Sequence, residues 1–177
     1  TLDAISKSLT GTGLRLGWMA LPPSLAPPVI ALIGHMGAWP ARPIQKAAAK
    51  LYAQPELLET FFNQLDVRIA ERMDILEERL SRLSIYGVSY VKPEGGIYLA
   101  TRFDLFDQLG FKTNEEIREW LLVSSGVAIV PFQAFGLDEE TGWFRISVGA
   151  VSVDDIIAAM NRLESALKTA FGHEPRA

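Results

Sequence analysis

Leu14, Leu16, Trp18 and Ala20 alternate with Arg15, Gly17, Met19 and Leu21, and Pro22-Pro23 ends the run. A period of two predicts a strand over 14–20 with Arg15 on the face opposite the leucines. Gly11 and Gly13 allow the preceding loop a tight path. Residues 43–52, with Ala47, Ala48 and Ala49, predict a helix on propensity. Pro55 suits the first turn of a second, longer one. Along it Leu58, Phe62, Leu65, Ile69, Met73, Leu76, Leu80 and Leu83 recur every three or four residues and build one apolar face. The charges between Asp66 and Arg82 form its wet side. Nearly thirty residues at about 1.5 Å each give a rod of roughly 40 Å, long enough to connect two domains.

After Gly87 the pattern changes. Residues 88–91 and 97–100 read as strands joined through Lys92-Pro93-Glu94-Gly95-Gly96. Thr113 and Glu116 form a capping box for a helix that runs to Gly126. Residues 127–130 predict a short buried strand ending at Pro131. Phe144, Ile146 and Val148 alternate with Arg145 and Ser147, which predicts another. Ser152 caps a last helix with Ile156, Met160, Leu163 and Leu167 inward. The order strand-strand-helix-strand-strand-helix makes a compact α+β unit. The tail from Gly172 reads as frayed.

Composition narrows the function classes. The chain has 177 residues, 49% of them hydrophobic and 21% charged, an ordinary globular balance. The net charge of -4 comes without a polybasic cluster, which argues against nucleic acid and anionic membranes as partners. The apolar stretch 18–33 carries Pro22, Pro23, Pro27 and Pro28 and is too short and broken to span a membrane. No cysteine is present, which excludes disulfides and thiol nucleophiles and fits a reducing compartment such as the cytoplasm. His35 and His173 are far apart and no acidic cluster has ligand spacing, so no metal site is expected. A Ser-His-Asp hydrolase would need a Gly-x-Ser-x-Gly elbow, which the chain lacks. Gly11, Gly13 and Gly17 miss the dinucleotide-binding spacing by one residue. The chain starts at Thr1 without a signal peptide and reads as a piece of a longer protein.

Blocks spread along the chain carry a family resemblance. They are Ser6-Lys7 with Gly13-Leu14-Arg15-Leu16-Gly17-Trp18, then Pro93-Glu94-Gly95-Gly96-Ile97-Tyr98-Leu99. Gly126-Val127-Ala128-Ile129-Val130-Pro131 with Ala134-Phe135-Gly136 comes next, and Phe144-Arg145-Ile146-Ser147-Val148-Gly149 closes the series. In this order they resemble the C-terminal part of class I/II aminotransferases, enzymes of fold-type I that depend on pyridoxal 5'-phosphate (PLP). The resemblance implies an α/β fold overall, of which this chain is the end of the large domain plus the C-terminal α+β small domain. The implied division is a large-domain remnant over 1–30, connecting helices over 31–84, the small domain over 85–171 and a tail over 172–177.

The same resemblance implies the site. Lys7 would be the covalent anchor of the cofactor aldehyde and, once released, the general base at the substrate α-carbon. Arg15 would pair with the cofactor phosphate, whose oxygens match a guanidinium fork. Ser6 and Ser8 are weaker candidates for polar contacts at the phosphate. Arg145 would clamp the substrate α-carboxylate and so choose which α-carbon bond breaks; the rival reading is a surface ion pair with Asp138, Glu139 or Glu140. Tyr98 and Phe132 are candidates for the substrate cleft. One departure is Ala4, where the family often has a serine that binds phosphate, a role left here to Ser6 or Thr12. The expected activity moves an amino group between an amino acid and a 2-oxo acid, in a homodimer, the fragment alone being inactive. Other PLP chemistry on the same scaffold (β-lyase, decarboxylase or synthase) and an aminotransferase-like domain of a transcription regulator remain open.

Overall fold

The structure is a computed structural model and describes residues 1–172; the tail beyond Gly172, with His173, lies outside the described residues. The chain divides into two compact units, one over Thr1–Asp66 and one from Val67 onward.

In the first unit β1 (Leu2–Ala4) pairs antiparallel with β2 (Gly17–Met19), Leu2 facing Met19 and Ala4 facing Gly17. Between them lie a one-turn helix, α1 (Ile5–Ser8), and a 3-10 turn over Thr12–Leu14. The strand expected over 14–20 is therefore confined to three residues. Leu14 closes the 3-10 turn and Arg15 follows it with φ 52°, in left-handed conformation, so strand geometry cannot begin before Leu16. Arg15 does not sit on a strand face at all. Ile5, 3% exposed, is the buried anchor of this small sheet, and its carbonyl accepts from the amides of Leu9 and Gly11.

α2 (Ala26–Met36) was hidden in the proline-rich stretch read as broken. Pro27 and Pro28 fall in its first turn, where the missing N–H has no intrahelical partner to lose. The helix buries none of its residues; Ile30 is 64% and Met36 68% exposed. α3 (Arg42–Tyr52) and α4 (Pro55–Arg82) follow, the first as propensity predicts and the second as the periodicity predicts. α4 runs through the boundary between the units. Its apolar face is uneven: Leu58, Phe62 and Leu65 are half-buried, while Met73, Leu76 and Leu80 are buried.

The second unit is a four-stranded antiparallel sheet in the order β3-β4-β6-β5, built from β3 (Val88–Val91), β4 (Tyr98–Phe103), β5 (Val130–Pro131) and β6 (Trp143–Ser147). β4 is longer than the pattern suggested because it bonds to strands on both sides. β5 is shorter than the expected 127–130. Gly126 leaves α6 (Asn114–Ser125) in left-handed conformation, and only Val130 and Pro131 reach β6, opposite Arg145 and Phe144. Pro131 brings no N–H, which an edge strand tolerates. A short helix unread in the sequence, α5 (Phe106–Leu109), precedes α6.

One face of the sheet is the core. Val88, Leu99, Phe103 and Phe144 meet the last turns of α4, Ile117 and Leu121 of α6, and α7 (Val153–Phe171). Ile156, Met160, Leu163 and Leu167 of α7 are all buried, as their spacing predicts. Phe103 and Phe144 pack edge to face, ring centres 5.8 Å apart. Each fully buried side chain of this size stabilises the unit by about 1.5–3 kcal/mol. Both capping boxes form, Thr113 with Glu116 and Ser152 with Asp155.

Candidate functional site

The candidate residues fall into two groups, one in each unit. In the first unit, α1 carries Ser6 and Lys7. Lys7 is exposed, and its amine makes no hydrogen bond or ion pair with the described residues. Ser6 is half-buried with its hydroxyl equally uncommitted. Ser8 and Thr12 are engaged with backbone: Ser8 Oγ donates to the Ala4 carbonyl at 3.0 Å, and Thr12 Oγ1 to the Ser6 carbonyl at 2.9 Å. Arg15 donates one bond, from Nη1 to the Thr12 carbonyl at 3.1 Å, and pairs with no carboxylate. Arg15, Thr12 and Ser6 thus form a chain of contacts that ends one residue from Lys7. Arg15 also lines an open hollow of about 600 Å³ with Asp3, Trp18 and Trp39.

The loop holding these groups is strained. Thr10 and Arg15 both have φ 52°, the only non-glycine residues among those described with positive φ. Such conformations cost on the order of 1–3 kcal/mol and cluster at functional sites. Periodicity could not reveal them, because neither residue is one that usually adopts this geometry. Gly11 has a specific steric duty: a Cβ there would stand 3.1 Å from the Ile5 carbonyl oxygen and 3.3 Å from Leu14.

In the second unit, Arg145 lies on the sheet face opposite the core, since Phe144 and Ile146 flank it in β6 and point inward. It stands opposite Ala100 on β4 and Val130 on β5. Its guanidinium carbon lies 4.3 Å from the Tyr98 ring centre and 4.6 Å from that of Phe135. None of its nitrogens donates a hydrogen bond within the described residues, and Nε is buried without a partner. The rival ion pair with Asp138, Glu139 or Glu140 is not formed; Glu140 instead accepts from the Asn114 amide and from Gln133 Nε2. Phe132 packs against Trp143 and Phe135, with ring centres 6.2 Å apart in both pairs. Phe135 and Trp143 are the neighbours that residue-by-residue reading missed. The Trp143-x-Arg145 spacing, which puts both on one strand face, was the available signal. An unbonded guanidinium held among aromatic rings presents its forked donors to an incoming anion of planar shape.

Among the described residues no group of three or more His, Cys, Asp and Glu side chains is placed to hold a metal ion, and no helix is long and apolar enough to cross a membrane.

Both groups fall within the span that matches known proteins. The family model for aminotransferase class I and II matches residues 1–163. A probable aspartate/prephenate aminotransferase of Aquifex aeolicus is 30% identical over 169 residues, covering 95% of this chain and 41% of the relative. An aspartate aminotransferase of Pyrococcus abyssi is 30% identical over 168 residues with the same coverage. The crystal structure of an aromatic aminotransferase from Pyrococcus horikoshii superposes with a TM-score of 0.82 at 30% identity, over 96% of this chain and 42% of that one. The chain spans about two-fifths of the length of the curated relatives it matches. Its matched span and its mixed helix-and-sheet architecture place it among the class I and II aminotransferases, to which it belongs as a C-terminal part.

Proposed function

We propose that the intact protein is a PLP-dependent aminotransferase that moves an amino group between an amino acid and a 2-oxo acid. The observation that carries this reading is Arg145: an unbonded guanidinium, held against Tyr98 and Phe135, with a buried donor awaiting an acceptor. A substrate α-carboxylate satisfies two of its donors in one fork and replaces a desolvated, unpaired group with a charge-assisted pair.

The first unit fits the cofactor on the same criterion of uncommitted groups. Arg15 keeps most of its guanidinium donors free beside Ser6 and Thr12, as a dianionic phosphate requires. The Lys7 amine is free to carry the covalent link to the aldehyde. When bound, PLP supplies the electron sink for charge left at the α-carbon. The chain's own residues do the rest. Arg145 fixes the orientation of the α-carbon, and Lys7 takes and returns the proton there.

The same reading covers the wider setting. The end of the large domain occupies residues 1–30, connecting helices 31–84 and the small domain 85–171. Trp39, Ile30 and Met36 are each more than half exposed on the first unit, apolar side chains that further protein would cover in a homodimer. The expected place of work is the cytoplasm, a reducing compartment with which the lack of cysteine in this chain is compatible.

The test is borohydride reduction of the intact protein with PLP, followed by peptide mass mapping, with product analysis alongside. A pyridoxyl mass on Lys7 and a 2-oxo acid product with retained pyridoxamine phosphate are expected. A label on another lysine overturns the anchor. Release of ammonia in place of amino transfer moves the protein to eliminating chemistry on the same scaffold.

A further inference from the structure

Asn114 is the first residue of α6, 1% exposed, and polar. A buried amide must have its donors and acceptors satisfied, and here they converge on a single loop. Asn114 Nδ2 donates to Gln133 Oε1 at 2.9 Å, and Asn114 Oδ1 accepts from the Gly142 amide at 2.8 Å. The Asn114 backbone amide donates to Glu140 Oε2. Gln133 Nε2 then donates to the Glu139 carbonyl at 2.8 Å and to Glu140 Oε2 at 3.2 Å.

The placement of these bonds matters more than their number. Gln133 lies inside the 3-10 turn over Phe132–Phe135, so its bond to Asn114 fixes the turn that presents Phe135 to Arg145. Gly142 immediately precedes β6, so its bond fixes the entry of the strand that carries Arg145. Gly142 also accepts from the Phe103 amide through its carbonyl at 2.8 Å. One side chain therefore pins both ends of the loop between the aromatic cover and the arginine, without touching either. The rest of the loop is held by its own turn bonds, by Phe132 packed on Trp143 and by Arg102 Nε donating to the Thr141 carbonyl at 3.1 Å, while Phe135 is 54% exposed and Ala134 and Gly136 are exposed.

We propose that Asn114, with Gln133 and Glu140, is a positioning clasp that holds Phe135 over Arg145 and thereby sets the protein's affinity for the carboxylate of its amino-acid substrate. The inference rests on the carboxylate-binding reading of Arg145. Releasing the clasp lets the aromatic cover move away and lets water compete for the guanidinium, weakening ground-state binding while the reacting centre is untouched.

The experiment uses the intact protein and compares Gln133→Ala, Phe135→Ala, their double variant, Asn114→Ala and Arg145→Lys by steady-state kinetics and PLP retention. Gln133→Ala and Phe135→Ala should each raise KM for the amino acid about two- to fivefold, the size of a lost cation–π contact, with kcat within about twofold. The double variant should be no worse than Phe135→Ala alone, because Gln133 acts through that ring. Asn114→Ala should raise KM at least as much; Gln133→Ala decides the matter if Asn114→Ala does not fold. PLP retention should not change. Multiplicative effects in the double variant, or an unchanged KM in Gln133→Ala while Arg145→Lys raises it, overturn the clasp and leave the Arg145 reading standing. An unchanged KM in Arg145→Lys overturns the reading itself.

Discussion

Arg145 and Tyr98 sit on neighbouring strands, two registers apart on one sheet face, with the guanidinium 4.3 Å from the ring centre. Tyr98 pairs with Ser147 and Ala100 with Arg145, so the ring leans diagonally across the ladder to reach the cation. The contact holds the guanidinium plane while leaving its donors free. In Arg145→Lys the charge survives and the fork does not. Losing one charge-assisted bond should lower kcat/KM about ten- to a hundredfold, with PLP retained. Steady-state kinetics at saturating cofactor checks this, and an unchanged kcat/KM would show that the carboxylate binds elsewhere.

The complementary prediction concerns the first unit. Thr12 Oγ1 braces the Ser6 carbonyl, and the Thr12 carbonyl accepts from Arg15. Thr12→Val keeps the side-chain shape and removes the brace. Loss of one neutral hydrogen bond predicts PLP affinity weaker by about three- to tenfold, with amino-acid KM at saturating PLP unchanged. Cofactor titration followed by absorbance measures the first quantity. A changed KM with unaltered PLP affinity would place this loop on the substrate side instead.

Helix faces were the most legible part of this chain. Leu80, Leu163 and Leu167 are each fully buried, where a period of 3.6 put them, because packing and pattern agree along α4 and α7. Strand ends were less legible. Nothing local tells Leu14 that it closes a 3-10 turn, or Val127 that pairing with the next strand begins only at Val130; both are decided by pairing across the fold. α2 was hidden because prolines break a helix interior but suit its first turn, and the sequence does not mark which applies. Of the candidate site, Lys7, Arg15 and Arg145 could be named from motif order. The Asn114–Gln133 bond could not, because it joins positions nineteen residues apart whose amides have no periodic signature.

Gly142 makes a stability prediction that is independent of function. Its φ is +75°, and a Cβ there would lie 2.6 Å from the Phe103 carbonyl oxygen and 3.3 Å from the carbonyl carbon. Both obstacles are backbone in the central strand, so neither can rotate aside. Gly142→Ala combines a left-handed penalty with this clash and should destabilise the protein by about 2 kcal/mol or more. Gly136→Ala is the control: φ is +90° but nothing lies within 4 Å, so only the conformational part remains. A denaturant midpoint for Gly142→Ala no lower than that of the control would mean the strand entry adjusts freely.

Asp155 gives α7 a pH dependence. Its carboxylate accepts from the Ser152 hydroxyl at 2.6 Å and from the Ser152 amide at 2.9 Å. The hydroxyl bond first, and the amide bond second, hold its pKa below the ordinary 3.8. A carboxyl whose pKa is lower folded than unfolded binds fewer protons in the folded state. Its contribution is therefore full above the unfolded value and fades as the pH falls through the folded one. Asp155→Asn removes the charge at the helix start, where the macrodipole favours an anion. The variant should be less stable than the parent at neutral pH, and the gap should close as the pH falls from about 4 downward. Denaturation midpoints of parent and variant across that range measure the gap. A gap of constant size would show that Asp155 acts through its shape rather than its charge.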